Sequence, residues 1–143
     1  LASPSGLFSI SEIFDVPIAV VNLVPIIHIP FCKNDLFIPK KIWSNRENRF
    51  ITFKEAFEKG IAAYNSNEEF EKAGLIPVEN TPEEIADLAR EMNERINGTF
   101  KETKEDKILK KKYMALMKNY KPFCNFQAKI GTLFLLKNKK LLE

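Results

Sequence analysis

Cysteine and histidine are scarce in this chain of 143 residues, with two of the first and one of the second. Cys32 and Cys124 are too few for a disulfide scaffold. Even with His28 they cannot fill a four-ligand zinc site unless carboxylates help, so no metal is expected. A Ser-His-Asp arrangement would have to use His28, which lies in an apolar stretch and reads as a partly buried, hydrogen-bonded histidine rather than a base. Charged residues interrupt every apolar run well short of the ~18 residues of a membrane span. Leu1-Ala2-Ser3 does not open a basic-then-apolar leader, so nothing argues for secretion. There is no Asp-x-Asp pair, no repeat and no low-complexity tract. From residue 100 onward every cation is lysine, whereas base readout favours arginine interleaved with aromatics, so nucleic acid is not an expected partner.

What is present is an ordinary globular composition, 45% hydrophobic and 29% charged. The net charge of +3 hides a gradient. Residues 1–32 carry only Glu12 and Asp15, and residues 33–99 hold ten Lys/Arg against thirteen Asp/Glu. Residues 100–143 hold twelve Lys against four acids.

Spacing along the chain predicts elements in alternation. Apolar residues at 7, 10, 13 and 14 predict a helix over Leu7–Phe14, broken at Asp15-Val16-Pro17. Ile18-Ala19-Val20-Val21 is a continuous apolar run of the kind buried in a parallel sheet. Asn22–Ile42 contains three prolines and reads as irregular, with short extended pieces near Ile26–Ile29 and Leu36–Ile38. Thr52-Phe53-Lys54-Glu55 is a capping box opening a helix to about Tyr64. A short helix near Glu68–Ala73 stops at Gly74, and Leu75–Val78 is a second short strand. Thr81-Pro82-Glu83-Glu84 combines an N-cap, a proline at the first helical position and a glutamate three residues after the cap. Ile85, Leu88, Ala89, Met92 and Ile96 form the apolar stripe of that helix, with Asn97-Gly98-Thr99 as its stop. Thr103 caps a helix to about Asn119, and Phe126–Leu142 is expected to be the last.

The fold expected is α/β, partly Rossmann-like, with few parallel strands and a helical C-terminal tail over 100–143. Two convincing strands are few for a doubly wound sheet, and the chain opens on a loop without the strand that should feed it. Residues 1–143 are therefore expected to be the C-terminal part of a longer protein. A self-contained small α+β domain is the alternative.

Chemistry concentrates in Ser3-Pro4-Ser5-Gly6-Leu7-Phe8-Ser9-Ile10-Ser11-Glu12, within a loop-helix-strand unit over 1–25. Hydroxyls and a glycine gather where a helix begins, a place that suits a diphosphate. Gly6 leaves room for a phosphate beside the backbone. Ser9 lies one turn on, and Glu12, on the same face, could accept from both ribose hydroxyls. A helix capped by Ser5, with Glu12 in solvent, explains the same residues without a ligand.

The spacing Gly6-x-x-Ser9-x-x-Glu12, followed by Phe14-Asp15-Val16-Pro17 and a buried strand, resembles the nucleotide-sugar motif of GT-B glycosyltransferases. It is also similar to the Ser-Gly segment of UDP-sugar 2-epimerases of that fold. Further segments are similar to a group of bacterial GT-B-type glycosyltransferases associated with surface-polysaccharide genes. They are Leu36-Phe37-Ile38-Pro39-Lys40-Lys41, Phe50-Ile51-Thr52-Phe53-Lys54-Glu55, Glu79-Asn80-Thr81-Pro82-Glu83-Glu84-Ile85 and Ile130-Gly131-Thr132-Leu133-Phe134-Leu135.

The resemblance implies the donor-binding, C-terminal portion of a metal-independent glycosyltransferase. Ser5, Gly6, Leu7, Ser9 and Glu12 would hold a nucleoside-diphosphate sugar, its donor substrate, with no separate cofactor. The acceptor would be a polysaccharide or a lipid-linked glycan. The catalytic base would lie outside this portion, which alone is expected to be inactive. A cytoplasmic location is expected; Lys129, Lys137, Lys139 and Lys140 of the last helix could touch the inner membrane, although packing of that helix on its own domain is the stronger reading. Lys40 and Lys41 are candidates for a donor phosphate or for plain solvation, and Glu79–Pro82 for a ligand-side turn. The alternatives are a 2-epimerase-like enzyme and a non-catalytic interaction module.

Overall fold

The structure is a computed structural model, which describes residues 1–3, 8–14, 16–117 and 127–143, with the backbone alone for Phe8, Ser9 and Glu12. Helix α1 (Phe8–Ile13) leads into strand β1 (Ala19–Leu23), then β2 (Leu36–Pro39), β3 (Lys41–Ser44) and β4 (Arg49–Phe50). Helix α2 (Phe53–Glu58), a 3-10 turn over Ile61–Ala63 and α3 (Asn67–Ala73) precede β5 (Leu75–Val78). The rest is α4 (Pro82–Ile96), α5 (Lys104–Leu116), β6 (Lys129–Ile130), α6 (Thr132–Lys137) and a final 3-10 turn.

These strands form two sheets. The first is parallel, in the order β1-β2-β6, with Ala19 opposite Leu36 and Phe37 opposite Ile130. The second is antiparallel, in the order β4-β3-β5. Lys40 alone separates β2 from β3, so the chain leaves one sheet and enters the other without a loop.

All four residues of β2 are buried. Successive side chains point to opposite faces. Phe37 meets the aromatic cluster of Phe53, Phe57 and Tyr113 from α2 and α5, with ring centroids 5.2–6.1 Å apart. Ile38 approaches Leu88 of α4 across Gly131, where an added Cβ would lie 2.8 Å from the Leu88 side chain and 2.9 Å from that of Ile38. Two packed faces leave no polar alternation to read in the sequence, which is why this strand looked like a short extended piece. The Tyr113 hydroxyl is buried with no hydrogen-bond partner among the described residues, and burial pushes its pKa up.

Capping chemistry sets the helix starts. Thr52/Glu55 and Thr81/Glu84 form the reciprocal boxes expected, Thr103 caps α5 as expected with Asp106 completing a box, and Ser66/Glu69 adds a fourth. Gly74 ends α3 at φ 69°, a conformation that favours glycine.

Four expectations are corrected. Ala2 pairs in parallel with Val20, its N–H donating to Ala19 O at 2.8 Å and its carbonyl accepting from Val21 N at 2.9 Å, so an isolated bridge on the parallel sheet precedes α1 where no strand position was expected. Ile26-Ile27 is a turn running into irregular chain at His28-Ile29, with Ile26 and Ile29 buried, not an extended piece. Leu75–Val78 is a strand but belongs to the antiparallel sheet. The helix expected over 126–142 is instead β6, a six-residue helix and a 3-10 turn. Lys129 therefore lies on a strand, while Lys137 and Lys139 pair with Asp87 and Glu105.

Candidate functional site

The sheet has two ends, and the expected donor site belongs to the carboxyl one. Ser5, Gly6 and Leu7 lie outside the described residues, as do the side chains of Ser9 and Glu12. The backbone around them is clear: the Ala2 bridge, four undescribed residues, α1 and then β1, which runs parallel to that bridge. A parallel bridge position thus precedes a helix and a parallel strand, an order found where open α/β sheets hold phosphates at the carboxyl end.

The described side chains at this end hold one another. Asn22, at φ 56°, interrupts the β1–β2 register. Its amide N–H donates to Asn80 Oδ1 at 2.6 Å, and the Asn80 N–H donates to Asn22 Oδ1 at 2.6 Å. Asn80 Nδ2 also donates to the Pro39 carbonyl at 2.9 Å, so one buried asparagine ties β1, β2 and the start of α4. The turn expected over Glu79–Pro82 is this tie together with the α4 cap.

Both candidate lysines are paired. Lys40 bonds Glu79. Lys41, only 12% exposed, bonds Glu84 Oε1 at 2.8 Å, and Asn138 Nδ2 donates to the same oxygen at 3.0 Å. Burial alone would raise the Glu84 carboxyl, but hydrogen bonds from Lys41, the Thr81 amide and Asn138 outweigh it and hold the group below its ordinary value. Neither lysine stands as a solvated cation. His28 is exposed rather than partly buried.

A cavity of about 470 Å³ lies at the opposite, amino end of the sheet. Pro17, Lys33, Asn34 and Leu36 line it from the residues leading into β1 and β2, Lys129 from β6, and Met92, Arg95, Ile96, Gly98 and Phe100 from the end of α4. Behind it, Glu91 of α4 is 3% exposed and accepts the Thr132 amide at 2.6 Å and the Thr132 hydroxyl at 2.9 Å. Arg95 donates to the same carboxylate through Nε at 3.0 Å and Nη2 at 2.7 Å, with its guanidinium carbon 3.9 Å from the centroid of the Phe100 ring. Lys110 of α5 bonds Glu102 at 2.7 Å and holds that carboxyl below its ordinary value.

Sequence reasoning missed this cavity and the Glu91 network. The i,i+4 spacing of Glu91 and Arg95 was a readable signal. The approach of Lys129 was not, because it depends on the β2–β6 pairing. Two buried carboxylates, Glu84 and Glu91, share the α4 face with Leu88 and Met92, whereas Ala89 and Ile96, assigned to its apolar stripe, are exposed.

Among the described residues no group of three or more His, Cys, Asp and Glu side chains is placed to hold a metal ion, and no helix is long and apolar enough to cross a membrane. No protein-family model matches the chain, and no curated protein or solved structure matches it.

Proposed function

We propose that this chain is the donor-binding portion of a GT-B-type glycosyltransferase. In this reading it carries a nucleoside-diphosphate sugar on the loop around Gly6 and passes the sugar to a polysaccharide or lipid-linked acceptor on the cytoplasmic side. The observation that carries the reading is the parallel Ala2–Val20 bridge. It makes residues 4–7 the link from the carboxyl end of a strand position to the start of α1.

In this reading Ser5, the amides around Gly6 and Leu7, and Ser9 stabilise the diphosphate as it gains charge on departure, without a metal. Glu12 accepts from the ribose hydroxyls. The Asn22–Asn80 tie keeps the strand ends beside the loop fixed.

Calorimetry with UDP and GDP tests the assignment. Gly6→Val puts a side chain where the phosphate would sit and abolishes binding; unchanged binding by the variant overturns the site. Loss of the ribose 2′-hydroxyl weakens binding by roughly 1.5–3 kcal/mol, the range for hydrogen bonds to a charged group. Glu12→Gln shrinks that gap. A 2-epimerase sharing the loop is told apart by product, an epimerised sugar nucleotide in place of a glycosylated acceptor.

A second reading, a non-catalytic interaction module, rests on a separate observation. Ile10, Ile13, Phe14 and Val16 are 50–79% exposed along and just beyond α1. Loss of a partner on Ile13→Asp, with nucleotide binding absent from the native protein, would favour it.

A further inference from the structure

We propose that the 470 Å³ cavity at the amino end of the parallel sheet is a second ligand site, built for a small phosphate monoester with an apolar or ring-bearing body. It lies across the sheet from the proposed donor loop and does not depend on that assignment.

The lining divides into two chemistries. Leu36, Met92, Pro17 and the Phe100 ring give an apolar wall, and Lys33, Arg95 and Lys129 bring three cations, with no carboxylate lining the cavity among the described residues. Three acids described nearby have other partners. Glu91 holds Arg95 and Thr132, Glu102 holds Lys110, and buried Asp35 accepts from the amides of Ile18 and Cys32 at 3.1 Å each. The side chains of Lys33 and Lys129 have neither an ion pair nor a hydrogen bond among the described residues. Lys129 is half-buried, and burial lowers its ammonium below the usual lysine value, reinforced by Arg95, Lys110 and Lys33 and opposed by Glu102. Like charges gathered around a partly desolvated ammonium cost free energy that a bound anion would recover.

The end of α4 does not account for these cations. Carbonyls at a helix C-terminus attract positive charge, but those of Asn93, Glu94 and Arg95 are already satisfied. Asn93 O accepts from the Asn97 amide and side chain. Glu94 O accepts from the Thr99 amide and hydroxyl and the Phe100 amide, and Arg95 O from the Gly98 amide.

A carboxylate would bring one charge to the two cations, Lys33 and Lys129, that have no partner among the described residues, Arg95 being held by Glu91. A phosphate monoester brings about −1.5 to −2 at neutral pH and three acceptor oxygens, and its organic part matches the apolar wall. The volume lies within the ordinary range of small-molecule sites.

The test is calorimetric titration of the full chain with phenyl phosphate, inorganic phosphate, benzoate and benzyl alcohol at fixed ionic strength. Phenyl phosphate is expected to saturate and to bind roughly tenfold tighter than inorganic phosphate or benzoate, with benzyl alcohol weakest. Lys129→Gln and the exposed Lys33→Gln are each expected to weaken phenyl phosphate by about that factor. Gly6→Val is expected to leave it untouched, which separates this site from the donor loop. If Lys129→Gln fails to fold, the Lys33→Gln result decides. The proposal is overturned by the absence of saturation, by equal affinity for phenyl phosphate and benzyl alcohol, or by affinity unchanged in Lys33→Gln.

Discussion

At the carboxyl end of the parallel sheet, Lys40 and Lys41 each rest against a carboxylate and one asparagine stitches three elements together. At the amino end, Lys33 and Lys129 face a cavity with no such partner among the described residues. The first end has used its charge to hold the fold. The second keeps uncompensated charge beside open space, a condition that burial makes costly for Lys129. The end where the fold leads one to look for a ligand and the end where the described side chains leave charge unmatched are therefore different ends, and each can be broken separately.

The largest effect is expected from Glu91→Ala, behind the amino-end cavity. It strands the Arg95 guanidinium and the Thr132 amide where Glu91 is buried, and breaking such a pair costs about 3–5 kcal/mol. Urea unfolding should show a markedly lower midpoint; a wild-type midpoint would mean the network contributes little. Asn80→Ala breaks the carboxyl end. It removes the two hydrogen bonds made by the Asn80 side chain, at 2.6 and 2.9 Å, for roughly 1–3 kcal/mol, and leaves the backbone N–H bond to Asn22 in place. It should spare phenyl phosphate binding while weakening any nucleotide binding.

The smallest effect, and the one that sharpens the comparison most, is on pH. The folded Glu84 carboxyl lies below its ordinary value of 4.5. Its contribution is thus present above that pH and lost as the pH falls through the folded value. Lys129 runs the other way. Its folded ammonium is depressed below 10.5, so it is a penalty at neutral pH that is relieved as the pH rises toward 10.5. Urea midpoints of Glu84→Gln and Lys129→Gln should therefore differ from the native protein near neutrality and converge on it at opposite ends of the scale, Glu84→Gln in acid and Lys129→Gln in alkali. Convergence of both variants at the same end would break the contrast.

Local signals were legible in the sequence. Thr52, Thr81 and Thr103 with their acids three residues on marked helix starts, and Ile18–Val21 marked the first parallel strand. Pairing was not legible. Lys129-Ile130 continues a helical apolar spacing toward Leu133 and Phe134, yet its backbone joins β2, with the Lys129 N–H on Asp35 O and the Gly131 N–H on Phe37 O, each at 2.9 Å. A period of 3.6 cannot report a two-residue strand whose partner is remote. Gly131 was the local hint, since Leu88 and Ile38 leave no room for a side chain there. Of the candidate site, the Gly6-x-x-Ser9-x-x-Glu12 spacing was legible, whereas the Ala2 bridge ahead of it was not. The Asn22–Asn80 tie and the approach of Lys33 to Lys129 depend on contacts between distant segments.

That remote partner also bears on how the protein is made. Until Lys129-Ile130 has emerged and docked, β2 has an open flank, with Leu36, Phe37 and Ile38 in a short apolar run. An uncovered edge of this kind recruits strands from other chains. Synthesis that stalls, or proteolysis that trims the molecule, short of the final fifteen residues would leave a sticky intermediate rather than a shorter native protein. Solubility during expression, rather than any binding assay, would be the first property to fail.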